Sequence, residues 1–474
     1  MTKSAEKKVD EMKTYIAEHA LLPQGWAENV RITVDEAGFI ASVAGGAGKG
    51  ATGAAAAAGS GQRLAGPVLS GMPNLHSHAF QRAMAGLTES ALNPEDSFWT
   101  WRDLMYRLVG RLDPDQVESI ARYLYIDMLK AGYTSVAEFH YLHHDLDGRA
   151  YADPAEMANR ILAAADQTGI AVTLLPVMYA HGGFGGKEPS EGQRRFIHQT
   201  EAYLQLLQRL SPHCDHPLRR LGVCFHSLRA VTPEEMTAIL SATQDGRPIH
   251  IHIAEQQKEV DDCIAWSGQR PIQWLYDHAA VDDRWCLIHA THADAAEVTQ
   301  MATSHAVVGI CPTTEANLGD GIFPAIAYAQ QGGRFGIGSD SHVSLSVVEE
   351  LRWLEYGQRL KHERRNRLYG ANRPNIGAFL YETCLAGGAQ ALGQPIGQIA
   401  AGQRADLVVL NGAHPLMAHI GGDDILSRWL FGGGDRLVKD VMVGGNWVVQ
   451  DGHHAGEAEA GRKFAAVVKA AFAQ

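Results

Sequence analysis

The sequence predicts an α/β protein in which a (β/α)8 TIM-like barrel is joined to a small β-sandwich domain built from both chain ends. Three observations predict this fold. Eight short apolar segments alternate with amphipathic helical patterns in the middle of the chain. Strand patterns with glycine turns occur near both ends. The chain has 474 residues, enough for a large domain with an appendage. We therefore assign residues 71–396 to the barrel and residues 1–70 with 397–474 to the small domain.

The eight predicted barrel strands follow one another along the middle region, and helical patterns separate many of them. The strand segments are residues 66–75, 132–141, 169–178, 220–228, 247–255, 284–292, 306–312 and 334–340. The helical patterns are Gln116–Ala131, Pro154–Thr168, Ser190–Leu210, Pro233–Ala242 and Ala293–Thr303. Eight strands that alternate with helices or loops fit a closed parallel barrel. An open doubly wound sheet is the alternative, but no glycine-rich phosphate motif follows the first strand.

The two chain ends carry the patterns of the small domain. Residues 29–43 read NVRITVDEAGFIASV, a strand–turn–strand pattern. Residues 397–411 and 437–452 are short β-rich segments with glycine turns, and a closing helix is predicted after them. Residues 3–19 fit a helix or a strand equally well. The Ala/Gly-rich stretch at 44–62 is predicted to be a loop.

Composition excludes several classes of function. Hydrophobic residues make up 46% of the chain and charged residues 20%, which is typical of a globular protein. The formal net charge is −12 and no basic run stands out, so we expect no nucleic-acid partner. No apolar stretch approaches ~20 residues, so we expect no membrane partner. The N-terminus lacks an apolar signal region, and the six cysteines form no C-x-x-C pair. These features predict a cytoplasmic protein with reduced thiols.

The first motif that carries chemistry is GMPNLHSHAFQ, residues 71–81, at the end of the first barrel strand. In an extended backbone, residues i and i+2 point to the same side, so His76 and His78 can direct both imidazoles at one point. A metal ion is the simplest reason for this arrangement. An H-x-H pair is common by chance in a chain with 23 histidines, so further ligands are needed to support the prediction.

Further candidate ligands follow three other predicted strands. In a (β/α)8 barrel the chemistry lies at the carboxyl ends of the strands, so these residues are expected to meet. The fifth strand ends in His250, His252 and Glu255, the sixth in His289 and His292, and the eighth in Asp340. Any one of these histidines alone would more often be structural. Metal-ligand or acid–base residues at four strand ends together predict a catalytic metal site.

These positions resemble the amidohydrolase superfamily. The superfamily pattern maps onto His76 and His78 after the first strand, His252 after the fifth, His289 after the sixth and Asp340 after the eighth. The stretch HIAE, with Glu255 three residues past His252, resembles the deaminase branch. The small domain, with GQRADLVVL at 402–410, is also similar, and the resemblance covers essentially the whole chain.

The resemblance implies one divalent metal ion, bound by His76, His78, His252 and Asp340. Binuclear members carry a carboxylated lysine after the fourth strand, where this chain has His226 and Arg229. Three neutral imidazoles, a carboxylate and an open position suit Zn²⁺, and the same ligands can also bind Fe²⁺. A bound ion of this kind lowers the pKa of water toward neutrality.

The resemblance also implies roles in proton transfer. Asp340 can take the proton of the attacking water, and His289 is placed to orient the resulting hydroxide or to stabilise developing charge. Glu255 would carry protons to the attacked C=N group and then to the departing ammonia. The alternative for Glu255 is an ordinary surface carboxylate.

Longer motifs resemble one family of deiminases. The stretches GMPNLHSHAFQRAMAGLTE, DSFWTWRDLMY, AEFHYLHHD and FHSLRAV are similar to the formimidoylglutamate deiminases of histidine degradation. That family hydrolyses the C=N bond of N-formimidoyl-L-glutamate, a linear amidine, to give N-formyl-L-glutamate and ammonia. The resemblance implies a small-molecule dicarboxylate substrate and, by analogy alone, a homodimer.

Recognition of a dicarboxylate requires guanidinium groups in the barrel mouth. Arg229 follows the fourth strand with no carboxylate near it in sequence, and Arg102 lies in the loop region after the first strand. The resemblance adds Gln81, Tyr141 and His226 as substrate contacts.

Two neighbouring groups have simpler interpretations. The aromatic run at residues 98–101 is better explained as a core-packing helix. Nearby, His140, His143 and His144 could suggest a second metal site, although solvated or hydrogen-bonded loop histidines explain them better.

Two rival functions remain open at this point. Another deaminase of the superfamily, acting on a nucleobase or related heterocycle, would need an aromatic stacking wall and ring-edge hydrogen bonds. A barrel without catalysis, acting as an interaction protein, would usually lack one or more metal ligands, whereas this chain keeps every expected position.

Overall fold

The computed structural model describes residues 12–45, 61–90 and 98–473, and no side chain is described for residues 98–100. The strands in these ranges are β1 (Lys13–Leu22), β2 (Gly25–Val34), β3 (Ile40–Ala44), β4 (Gln62–Leu64), β5 (Val68–Ser70), β6 (Met72–Ser77), β7 (Tyr133–His140), β8 (Ala171–Met178), β9 (Arg219–Leu221), β10 (Val223–Ser227), β11 (Ile249–Ile253), β12 (Trp285–His289), β13 (Val307–Ile310), β14 (Arg334–Ile337), β15 (Leu407–Leu410), β16 (Val438–Val443) and β17 (Asn446–Val449).

The α-helices in the same ranges are α1 (Phe98–Val109), α2 (Pro114–Lys130), α3 (Glu156–Thr168), α4 (Thr200–Leu210), α5 (Pro233–Ala242), α6 (Gln257–Ser267), α7 (Pro271–His278), α8 (Ala295–Ser304), α9 (Pro312–Leu318), α10 (Ala325–Gln330), α11 (Val347–His362), α12 (Ile376–Leu392), α13 (Asp424–Gly432) and α14 (Glu457–Phe472). Short 3₁₀ helices span Ala79–Met84, Glu191–Gln193, Ser211–Cys214, Pro415–Met417 and Asp435–Leu437.

The central sheet is a parallel barrel. Its strands follow the order β6-β7-β8-β10-β11-β12-β13-β14, and the short β9 pairs with β8 at the side. A parallel bridge between Ser77 and Asp340 links the first strand to the end of the last and nearly closes the barrel. The predicted barrel is therefore confirmed, and each of the eight predicted strand segments overlaps one of its strands.

Complete burial explains why these strands are continuous apolar runs. Every residue of β7, β8, β11 and β12 is buried, as expected when helices cover a parallel sheet. Ile249–Ile253 pairs residue by residue with Trp285–His289. This register places His252 and His289 at the same end of neighbouring strands. The polar residues in these runs are thus held at the carboxyl ends, where barrel chemistry lies.

The junction between β6 and β14, which we call the barrel seam, is covered by α12. Two glycines of this helix allow the close approach. A Cβ atom at Gly387 would overlap the carbonyl of Phe335, and one at Gly388 would lie 2.8 Å from Cβ of Pro73. Larger residues would force the helix away from the strands. The glycine pair therefore keeps the seam compact beneath the candidate ligands His76 and Asp340.

Strands from both chain ends form a second, mixed sheet with the order β17-β16-β15-β5-β1-β2-β3, and β4 pairs with β1. The sheet curls on itself, because Trp447 of β17 contacts Tyr15 of β1 at a ring-centroid distance of 5.7 Å. One face encloses a small core that includes Ile32, Leu407 and Met442. Residues of the opposite face, such as Val408 and Val441, belong to the main core with the barrel. The prediction that both ends build one β-rich unit is confirmed.

Local outcomes vary along the chain. Residues 3–19 fitted a helix or a strand equally well from the sequence. In the structure, residues 13–22 form a strand, so the described part of this segment is a strand. The predicted loop at 44–62 lies largely outside the described residues. Helix α4 begins at Thr200 rather than at 190, because Ser190 and Gln193 form a capping box around a separate 3₁₀ turn. None of the described helices is both long enough and apolar enough to span a membrane.

Candidate active site

The barrel seam brings the first and last groups of predicted ligands together. The amide of Asp340 donates to the carbonyl of His76 at 3.0 Å, and the amide of His78 donates to the carbonyl of Asp340 at 3.2 Å. Nε2 of His76 and Nε2 of His78 lie 3.4 and 3.3 Å from Oδ1 of Asp340. The three side chains thus meet on one side of the seam.

His252 completes this group from β11. Its Nε2 lies 3.0 Å from Nε2 of His76. The other ring nitrogens are held by backbone carbonyls: Nδ1 of His252 donates to the carbonyl of His226 at 3.0 Å, and Nδ1 of His78 donates to that of Phe139 at 3.0 Å. These bonds fix the tautomers so that Nε2 lone pairs face the centre.

The group fits a divalent metal ion. Donor atoms of His76, His78 and Asp340 all lie within 4.8 Å of one another, as do those of His76, His252 and His289. Burial lowers the pKa of His76 to about 3 and that of His252 well below its ordinary value. Both imidazoles are therefore neutral, the form that coordinates metals. Lone pairs and a carboxylate that converge in a buried space repel one another unless a cation lies between them.

The carboxyl of Asp340 is ionised. Burial acts to raise its pKa, but the neighbouring imidazoles of His76, His289 and His78 hold the pKa well below its ordinary value. Its backbone also lies in the left-handed region at φ 45°. Ala254, His289 and Ala290 have positive φ as well, at 50°, 69° and 48°. Such backbone is costly for residues other than glycine, and here it lies at the ends of the site strands.

His289 lies between three carboxylates. Its Nδ1 donates to Oε1 of Glu315 at 3.2 Å. Its Nε2 lies 3.8 Å from both Oε1 of Glu255 and Oδ2 of Asp340. Burial acts to lower the pKa of His289, but Glu255, the bond to Glu315 and Asp340 together raise it to about 10. Its position next to Asp340 is the one predicted for a group that orients water.

Glu255 is buried, at 5% exposure, so the alternative of a surface carboxylate is wrong. Burial is the main cause that raises its pKa, with Asp340 and Glu259 acting in the same direction. The positive charges of His289 and Arg229 act in the opposite direction and lower the pKa of Glu255. A carboxyl with a raised pKa can both donate and accept a proton near neutral pH.

A cavity opens above these groups, with about 610 Å³ of open space that extends into solvent. All five predicted substrate contacts line it: Gln81, Arg102, Tyr141, His226 and Arg229. Nε2 of Gln81 donates to the hydroxyl of Tyr141 at 2.9 Å, so these two act together. The structure thus brings every predicted site residue to one place, while the individual roles remain predictions.

The charge environment of Arg229 differs from the sequence prediction. No carboxylate lies near it in sequence, yet Glu259 and Glu255 raise its pKa against the effect of burial. Glu259 belongs to α6, which follows the neighbouring strand, so its proximity depends on tertiary structure. A substrate carboxylate would therefore meet Arg229 in the presence of these acids.

The structure also tests the interpretations of the aromatic run at 98–101 and of the nearby histidine cluster. Residues 98–101 are helical as predicted, but Trp101 both packs on the main core and lines the cavity. His140 and His143 are buried rather than solvated, and His143 donates to the carbonyl of Val177 at 3.1 Å. His198 joins them, with a ring-centroid distance of 4.3 Å to His143. Within the described residues, every convergent group of three donors contains His76 or His289, so this cluster is not a second metal site as placed.

Sequence reasoning missed two buried glutamates. Glu315 at the start of α9 accepts from His289 and, at 2.9 Å, from the amide of Cys311. Glu138 in β7 accepts from the hydroxyl of Ser77 at 2.6 Å and from the amide of Ala79 at 2.7 Å, which anchors the backbone around the H-x-H motif. A charge inside an apolar strand was the available signal for Glu138. A glutamate three residues past the end of the predicted strand segment 306–312 was the signal for Glu315.

Comparison with known proteins places this site in a family. The model of the "Amidohydrolase family" matches residues 68–448, and that of the "Formimidoylglutamate deiminase HutF, N-terminal domain" matches residues 12–60. A formimidoylglutamate deiminase of Pseudomonas aeruginosa is 64% identical over 96% of this chain and 99% of its own. An 8-oxoguanine deaminase of the same organism is 29% identical over 81% of this chain and 82% of its own.

Among solved structures, an amidohydrolase from Brucella melitensis superposes with a TM-score of 0.89. It is 46% identical and covers 97% of this chain and 100% of its own. The resemblance predicted from the motifs is thus confirmed over nearly the full length of the Pseudomonas formimidoylglutamate deiminase and of the Brucella amidohydrolase. This chain belongs to the amidohydrolase family and, within it, to the formimidoylglutamate deiminase branch.

Proposed function

We propose that this chain hydrolyses N-formimidoyl-L-glutamate to N-formyl-L-glutamate and ammonia in histidine degradation. One observation carries the proposal: the match at 64% identity to a formimidoylglutamate deiminase extends over 96% of this chain. The site is consistent with that chemistry, because a metal-ligand group, a buried acid and two guanidinium groups surround one cavity. The enzyme is then a hydrolase that acts on the C=N bond of a linear amidine.

The residues that would hold the metal ion are His76, His78, His252 and Asp340. We propose Zn²⁺ as that ion, with Fe²⁺ as the alternative, because three neutral imidazoles and one carboxylate suit both. A bound ion of this kind supplies a Lewis acid and makes water more acidic near neutral pH. The hydrogen bonds from Nδ1 of His252 and of His78 to backbone carbonyls orient both rings so that Nε2 faces the proposed ion position.

The chain's own groups then move the protons. Asp340, which is ionised, accepts a proton from the attacking water. Glu255 gives its proton to the imino nitrogen as the water oxygen bonds to the formimidoyl carbon. It then takes the proton of the new hydroxyl group on that carbon and passes it to the nitrogen, which leaves as ammonia while the formyl C=O bond forms. Asp340 finally returns its proton to Glu255. His289 lies beside both carboxylates and would orient the water and stabilise its charge. Water and amidine enter, and amide and ammonia leave, so atoms balance.

Substrate recognition is assigned to groups on the cavity wall. Arg102 and Arg229 are proposed to bind the two carboxylates, since guanidinium groups make charge-assisted bonds to such anions. Gln81, Tyr141 and His226 are proposed to contact the substrate as well. The half-buried setting of both arginines strengthens such bonds compared with water.

The testing experiment is an ammonia-release assay on metal-loaded protein. N-formimidoyl-L-glutamate should release ammonia, while 8-oxoguanine, guanine and cytosine should release none. Turnover of a nucleobase instead would support the rival heterocycle deaminase, for which the 29% identical relative is the precedent. Absence of turnover on all compounds, with the ion bound, would support a non-catalytic interaction protein.

Assembly and location are proposed by analogy with the family. We propose a homodimer, which light scattering on the purified protein would test, with a monomer as the contradicting result.

We also propose a cytoplasmic location, because all six cysteines are buried free thiols. Cell fractionation would check it.

A further inference from the structure

Two tyrosines that the sequence did not single out line the cavity beside the arginines. Tyr106 lies on α1, and Tyr179 follows β8 directly. Tyr179 is 7% exposed and Tyr106 is half-buried. The guanidinium of Arg102 lies 5.4 Å from the ring centroid of Tyr106. Both tyrosines therefore line the same cavity in which the arginines are proposed to bind a carboxylate.

Gln193 fixes how Tyr179 is hydrogen-bonded. The amide of Ser190 donates to Oε1 of Gln193 at 2.7 Å, so that atom is the oxygen. Nε2 of Gln193 then donates to the hydroxyl oxygen of Tyr179 at 2.7 Å. An amide N–H can only donate, so Tyr179 accepts in this contact. The hydroxyl proton of Tyr179 is therefore available to an acceptor other than Gln193.

The number of hydroxyl protons on Tyr106 and Tyr179 shows how many hydrogen bonds the two side chains can donate. Tyr106 and Tyr179 both line the cavity, and each phenol affects the pKa of the other. Two hydroxyls carry two protons, and a hydrogen bond between them would use at most one, so at least one remains to be donated. Burial raises the pKa of both phenols, so both keep their protons at neutral pH. The neighbouring groups Arg102 and Arg229 are donors only and cannot accept the remaining proton.

We propose that Tyr106 and Tyr179 form a hydroxyl pair that donates one hydrogen bond to a carboxylate of the substrate, beside Arg102 and Arg229. This inference rests on the proposed function and adds a specificity-determining element to it. An anionic acceptor matches a donor in a cavity that two guanidinium groups also line. A neutral heterocycle offers no anionic acceptor to this donor, which disfavours it.

The proposal is tested with Tyr106→Phe, Tyr179→Phe and the double variant, because phenylalanine keeps both rings. Each single variant retains one hydroxyl whose proton is no longer shared, so its kcat/KM for N-formimidoyl-L-glutamate should stay within about threefold of the parent. The double variant should lose roughly 10- to 100-fold, mostly through KM, which corresponds to a hydrogen bond to a charged group. Tyr151→Phe, outside the cavity lining, is the matched control and should change nothing.

Two formimidoyl analogues make the test specific for a carboxylate. N-formimidoyl-4-aminobutyrate lacks the α-carboxylate, and N-formimidoyl-2-aminobutyrate lacks the side-chain carboxylate. One of the two should be unaffected by the double change, since it lacks the carboxylate that the pair recognises. Metal content should equal that of the parent.

Three outcomes would overturn the inference: a double variant within threefold of the parent, an equal loss on the diacid and both analogues, or a single variant that loses as much as the double. A parent that releases no ammonia from N-formimidoyl-L-glutamate would instead mark failure of the proposed function.

Discussion

Replacement of Glu315 tests whether a carboxylate behind His289 is needed for turnover. Both hydrogen bonds that Glu315 accepts end on the same oxygen: Nδ1 of His289 lies 3.2 Å and the amide of Cys311 2.9 Å from Oε1. Glu315→Gln can keep both bonds through its amide oxygen and loses only the charge. Glu315→Ala loses the charge and both bonds, and it leaves two buried donors unsatisfied.

The magnitudes follow from these contacts. A hydrogen bond to a charged group is worth roughly 1.5–3 kcal/mol and a neutral one roughly 1 kcal/mol, so loss of the charge alone costs about 1–2 kcal/mol. At ~1.4 kcal/mol per decade, Glu315→Gln should lower kcat roughly tenfold. Unsatisfied buried donors cost roughly 1–3 kcal/mol more, so Glu315→Ala should lose roughly 100- to 1,000-fold.

The assay is steady-state ammonia release, with metal content measured on the same preparations. Glu355→Gln is the matched control, because Glu355 is a fully buried carboxylate that does not line the cavity. It should leave kcat and KM unchanged. The reasoning is refuted if the alanine variant has a kcat within twofold of the parent. It is also refuted if activity falls only in proportion to metal content, since Glu315 would then act through the ligands.

Four further predictions use other groups. Glu255→Gln should lower turnover by roughly 10²–10⁴ with the metal retained; a loss below tenfold would exclude Glu255 as the proton carrier. His76→Ala should abolish tight metal binding, and elemental analysis of the parent should give one ion per chain, with two ions contradicting the mononuclear site. Arg229→Met should lower kcat/KM for the diacid roughly 100-fold, in line with a lost partner worth about 2–5 kcal/mol, and should spare an uncharged formimidoyl amine; equal losses on both would make Arg229 structural. Burial raises the pKa of Glu138 from 4.5 to about 7, so its contribution to stability is present below pH 4.5 and lost as the pH rises through 7. Chemical denaturation should show the stability difference between parent and Glu138→Gln shifting by roughly 3 kcal/mol across that window, and a constant difference would contradict this.

The sequence predicted the metal-ligand group because barrel topology alone decides where strand ends lie. Once His76, His252 and Asp340 were placed after the first, fifth and eighth strands, their meeting required no knowledge of side-chain packing. The same argument correctly brought Glu255 and His289 to the site. Strand order was sufficient to bring these residues together, whereas the choice of ligands and proton-transfer groups among them came from the resemblance to the amidohydrolase superfamily.

Groups that depend on helix orientation were not predictable in this way. Tyr106 lies on a helix, and the sequence does not reveal which face of α1 meets the cavity. Glu259 approaches Arg229 from the helix after the next strand, so its effect on the arginine is invisible in the local sequence. His198 joins His143 across a long loop. Each of these contacts depends on the angle at which one element packs on another.

The barrel seam also sets an order of events during synthesis. The histidine pair of β6 is made early, but its carboxylate partner Asp340 leaves the ribosome only after every other barrel strand. Until then a nascent chain holds imidazoles without the anion that makes the site favourable for a cation. Domains fold as units as the chain emerges, so ion uptake is expected to follow completion of the barrel. Occupancy by the proposed ion is then expected to distinguish finished molecules from truncated ones.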